Sequence, residues 1–159
     1  MTPATSPPWF SVAASAQPLL AAAAKTWENT LVSERYIQQA LAQPDADLGV
    51  LESAYRFYFY KNDNCKALDV ALRVCDRIHE THHWPHDWGS LMPILTAQID
   101  QPSARLYLSA YAASGLLLAR LGQIEAAQSV AEQIQQIDAK EFGAELLLNI
   151  LNTPTEEED

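Results

Sequence analysis

Basic residues are scarce in this chain: ten Lys and Arg stand against twenty Asp and Glu, a formal charge of −10 over 159 residues. Such a chain repels a phosphate backbone and an anionic bilayer, which excludes nucleic acid and membrane surfaces as partners and leaves basic protein segments attracted. Long apolar runs are missing as well. The most apolar stretch, residues 19–24, falls far short of the roughly 20 residues of a membrane span. No Lys or Arg precedes Lys25, and Pro18 interrupts the apolar segment. That argues against a secretory signal, so 1–17 reads as a flexible leader on a cytoplasmic protein. There are two cysteines, Cys65 and Cys75. Ten positions apart on one helix they lie about 15 Å from each other, too far to bridge. Free thiols agree with a reducing compartment. The five glycines are scattered, none in a phosphate-cradling loop, and no Ser or Cys stands in a nucleophile signature. No catalytic residue and no cofactor is expected.

What is present is helical material. Apolar residues make up 48% of the chain, with Ala and Leu dominant, a composition that favours an all-α fold. Pro18 suits a helix start, and a first helix is expected to about Thr30, with Ser33 capping a second that Pro44 ends. One bent helix over 18–42 is the alternative. Asp45 or Asp47 caps the next helix, which Asn62 and Asp63 end in a turn, and Asn64 opens a long successor. The aromatic run 57–60 has β propensity, but the helical period on both sides overrides it. Residues 81–102, with Trp84, Trp88 and three prolines, read as a long inserted loop over a satellite core of Leu91, Met92, Ile94 and Leu95. Ser103 is expected to cap the long helix that follows, and the turn after it carries Gly122. A last helix with Phe142, Leu146, Leu147 and Ile150 is expected to cap the fold, and 153–159 to form an acidic disordered tail.

Residues 108–138, with Tyr111, Gly115 and Leu118 on the first helix, Gly122 at the turn and Ala127 on the second, resemble a tetratricopeptide repeat (TPR). The unit extends over about 104–138. A degenerate copy over about 48–79 lays Leu51 opposite Tyr111, Tyr55 opposite Gly115, Tyr58 opposite Leu118, Asn62 opposite Gly122 and Ala67 opposite Ala127. The resemblance implies TPR-like antiparallel helical hairpins in a short right-handed stack, one domain over 18–152, with a capping helix at its end. It also implies a non-enzymatic adaptor or chaperone-like protein that binds a peptide or partner protein in a concave groove. Carried over position by position, the groove residues are Glu52, Arg56, Phe59 and Tyr60 from the first copy and Ser109, Ala112, Leu116 and Arg120 from the second. Two arginines beside aromatic surface suit an acidic or carboxylate-ended peptide. Two units make a thin stack, so a homodimer is a further expectation.

The four histidines crowd into residues 79–86, and His79-Glu80-Thr81-His82-His83 matches the H-E-x-x-H string of zinc proteases. The string needs a rigid helix and a third ligand downstream, whereas Pro85 unsettles the helix and only His86 and Asp87 follow closely. A non-catalytic metal site on Cys75, His79, His83 and His86 is the alternative function, since Cys75, His79 and His83 fall one turn apart on one face. Histidines at a helix C-terminus also serve simply to meet its unpaired carbonyls.

Overall fold

The computed structural model describes residues 12–138, and these are all-α. The helices are α1 (Gln17–Lys25), α2 (Thr30–Leu41), α3 (Leu48–Tyr60), α4 (Asn64–His82), α5 (Trp88–Ala97), α6 (Pro102–Arg120) and α7 (Ile124–Asp138). The sequence reads as one domain over 18–152; contacts group the chain into two compact units, 1–74 and 75–159, dividing within α4. The proposed capping helix and acidic tail lie outside the described residues.

In the first unit α1 packs on α2 and α2 on α3. A break at Thr26–Asn29 separates α1 from α2, so the single bent helix does not form. Asn29, not Ser33, caps α2, its side chain accepting from the Val32 amide at 3.3 Å. Ser33 is fully buried and donates instead to the Ala23 carbonyl at 2.6 Å. Asp47 caps α3 by accepting from the Val50 amide at 3.2 Å. The aromatic run is helical as expected: Phe57 and Tyr58 are buried, Phe59 is half-buried and Tyr60 is exposed.

In the second unit α6 and α7 form a hairpin around Gly122. Tyr111 donates to Gln133 Oε1 at 2.5 Å, and these partners are equally distant in sequence from Gly122, as an antiparallel pair requires. Two expectations fail in this unit. Gln101, without a side-chain bond, stands at the start of α6, and Pro102 rather than a Ser103 cap opens the helix. The expected loop 81–102 contains α5. Asp87 caps it, accepting from the Ser90 amide at 3.0 Å, and the helix tolerates Pro93 within it. A proline there removes one backbone bond; burial of Leu91 and Leu95 and the Asp87 cap offset that loss.

The two turns are built alike. At the end of α3 the Asn62 amide donates to Phe59 O and the Asp63 amide to Tyr58 O; at the end of α6 Gly122 donates to Ala119 O and Gln123 to Leu118 O. Both are Schellman motifs, whose closing residue is left-handed: φ is +62° at Asn62 and +86° at Gly122. The inner faces also match. Ala67, Val70, Ala71 and Val74 on α4 are buried, as are Ala127, Val130, Ala131 and Ile134 on α7. A Cβ added at Gly122 meets nothing within 4 Å, so Gly122→Ala is expected to cost only the strain of an L side chain in the left-handed region, about 1–2 kcal/mol. Urea unfolding checks this; an unchanged midpoint would mean the turn relaxes out of the left-handed region.

Candidate functional site

A third Schellman turn decides the histidine cluster. At the end of α4, His83 takes φ +54° and the Trp84 amide donates to His79 O at 3.1 Å. His83 therefore closes the helix rather than extending the Cys75–His79 face. His79 is buried, with Nδ1 3.4 Å from the Trp84 carbonyl oxygen and Nε2 3.1 Å from the Tyr107 hydroxyl. A carbonyl only accepts, so in the neutral ring Nδ1 carries the proton and Nε2 accepts from Tyr107. Burial pushes the Tyr107 hydroxyl far above its ordinary pKa, which keeps it a donor. Cys75 is buried and points at the Tyr107 carbonyl, Sγ to O 4.0 Å.

His86 stacks on His79 with centroids 4.5 Å apart, and His82 stacks on Trp84 at 5.0 Å. Tyr107, Tyr111 and Trp88 continue this aromatic column, and Trp88 Nε1 donates to Gln136 Oε1 at 3.1 Å. Of the proposed metal set, then, the structure brings His79 and His86 together ring on ring, gives Cys75 and His79 other partners and turns His83 to another task. Among the described residues no three His, Cys, Asp or Glu are grouped to hold a metal ion. The cluster ties α4 and α5 to α6.

The groove residues fall on two helices, each in its own unit. On α6, Ser109 and Arg120 are exposed and Ala112 and Leu116 half-buried. Their spacing puts all four on one face, opposite the buried Ala104, Tyr107 and Ser114. Arg105, half-buried, falls on the same face one turn before Ser109 and was passed over in the sequence, although its i−4 spacing marks it. Helix α6 carries no acidic residue, in a half of the chain that holds thirteen Asp and Glu against four Lys and Arg.

On α3 the four positions are unequal. Tyr60 is 53% exposed, while Arg56 and Phe59 are half-buried. Glu52 is buried and does not line an open surface: Oε2 lies 3.7 Å from Arg56 Nη1, and Oε1 has no hydrogen-bond partner. Burial, with Arg56 only partly opposing it, pushes the carboxyl up to about 7. Glu34 in the same unit shows the contrast. It accepts from Lys66 Nζ at 2.5 Å, Tyr58 at 3.1 Å and Gln38 at 3.1 Å, and the Lys66 bond above all holds it below the usual carboxylate range.

The chain is 32% identical, over 138 residues, to a protein of Azotobacter chroococcum mcd 1 described as an uncharacterized 19.8 kDa protein in the nifW 5′ region; the match covers 84% of this chain and 76% of that one. The chain belongs to that protein's family. No family model matches it, and no solved structure does. Among the described residues of this family member, no helix is long and apolar enough to cross a membrane.

Proposed function

We propose that the chain is a cytoplasmic protein-interaction module of TPR-like build, an adaptor or chaperone-like protein without catalytic chemistry, which holds a partner segment against α6. One observation carries this reading: the outward face of α6 runs Arg105, Ser109, Ala112, Leu116, Arg120, small and apolar side chains between two guanidinium groups. Small side chains let another helix or an extended peptide approach the backbone closely, and Leu116 supplies an apolar contact. The arginines stand about 22 Å apart along the helix axis, so the complementary segment has an apolar centre and carboxylates towards its ends. Both arginines also make contacts within the protein.

The test is a photo-crosslinking side chain at position 116, with position 128 on α7 as control, in a host that carries the gene. The product of nifW, beside which the relative's gene is named, is the first partner to try with the purified chain. A partner captured at 116 and not at 128 is expected to lose at least tenfold in affinity with Leu116→Glu, about 1.4 kcal/mol or more. Equal affinity for the wild type and Leu116→Glu would remove α6 as the binding face.

A further inference from the structure

Among the described residues of the first unit, Glu52 is the one carboxylate that the fold buries without satisfying. Its carboxyl is on the less buried side of α3, where Leu48, Tyr55, Arg56 and Phe59 are half-buried, yet Glu52 itself is only 5% exposed. Oε1 has no donor and Oε2 faces Arg56 at 3.7 Å, beyond hydrogen-bond range. A carboxylate in that setting lacks the compensation an ionised buried group requires, whereas the neutral acid is tolerated and supplies a proton of its own. The helix does not need an acid there. Ala112 takes the matching position on α6, 60 residues on, and that helix forms equally.

The surrounding charges do not rescue the ionised form. On α3 Arg56 faces Glu52, and Asp47 is taken up with the α3 cap. On α2, which packs against α3, Glu34 is bonded to Lys66, Tyr58 and Gln38, and Arg35 is exposed. On the part of α4 within this unit, Lys66 serves Glu34 and Asp63, and Asp69 and Arg73 pair with each other at 4.0 Å. None of them donates to Oε1.

We propose that Glu52 is a proton-linked latch: neutral, it keeps α3 closed in the first unit, and ionised, it opens that helix. The inference is independent of the α6 binding face. The sign follows from linkage. Burial holds the closed-state carboxyl at about 7 against an ordinary 4.5, so the closed form keeps its proton longer than the open form. Closure is complete at low pH and weakens as pH rises between these values, levelling off above the upper one.

The experiment is amide hydrogen exchange of the full chain from pH 5 to pH 8, corrected for intrinsic exchange, with carbon-detected NMR titration of the Glu52 carboxyl. The opening constant of α3 amides is expected to rise on the order of 70-fold over that range. In Glu52→Gln, which mimics the neutral acid, it should stay flat. Arg56→Gln, which removes the nearby positive charge and needs no change at Glu52, should leave the onset of the rise in place, carry its upper end to higher pH and enlarge it. A flat wild-type profile, an equal rise in Glu52→Gln, or a carboxyl titrating at its ordinary 4.5 would each overturn the latch.

Discussion

Leu117→Ala is expected to destabilise the second unit by about 3 kcal/mol, more than a hundredfold in its folded-to-unfolded ratio. Leu117 is wholly buried on α6, which packs against α7, and the buried residues of α7 include Ala127 and Ala131, whose methyl side chains are too short to swing into a gap. Lost burial and an unfilled cavity therefore add. The measurement is urea unfolding followed by circular dichroism, with Trp84 and Trp88 fluorescence reporting this unit. A loss under about 1 kcal/mol would mean that α6 and α7 close over the cavity, and that their inner faces are packed more loosely than full burial implies.

Cys75 is expected to be all but inert toward disulfide reagents in the folded protein. Burial, aided by the charge of Asp76, pushes its thiol from an ordinary 9.0 up to about 12. Three pKa units reduce the reactive thiolate about a thousandfold at pH 8, before access is considered. Cys65 is exposed. Titration with Ellman's reagent should thus count one thiol per native chain and the second only in denaturant. Two thiols reacting at comparable native rates would show that α4 and α6 part at the Cys75–Tyr107 contact. The same shift has a thermodynamic side. The folded form holds the thiol proton more tightly, so stability is intact below pH 9 and declines as pH rises towards 12.

The helical hairpins were legible because their signals are local. Gly122, the Asn62-Asp63 pair and the alanines at 67 and 127 each declare a turn or a close approach within a few residues of chain. The α5 helix was not legible, since Pro93 is a breaker in any local rule and only the burial of Leu91 and Leu95 overrides it. Caps shifted for a similar reason: Ser33 looks like an N-cap until its hydroxyl is drawn to the Ala23 carbonyl ten residues back. The candidate site was half visible. Helical spacing placed Ser109, Ala112, Leu116 and Arg120 on one face, but nothing in the string told Glu52, buried, from Ala112, its accessible counterpart. Nor did spacing reveal that Tyr107 would engage both Cys75 and His79 across 32 and 28 residues.

The matched inner faces of α4 and α7 bear on how this chain reaches its native state. Ala67, Val70, Ala71 and Val74 present almost the same relief as Ala127, Val130, Ala131 and Ile134, so either helix offers the other's first-helix partner a serviceable surface during collapse. Such look-alikes invite helix-exchange errors and tangled folding intermediates. The tight turns at Asn62 and Gly122 counter this by kinetics: closing a loop of a few residues outpaces closing one of sixty. Lengthening either turn would therefore first raise the yield of cross-paired, aggregating chains, well before it altered the stability of those that fold correctly.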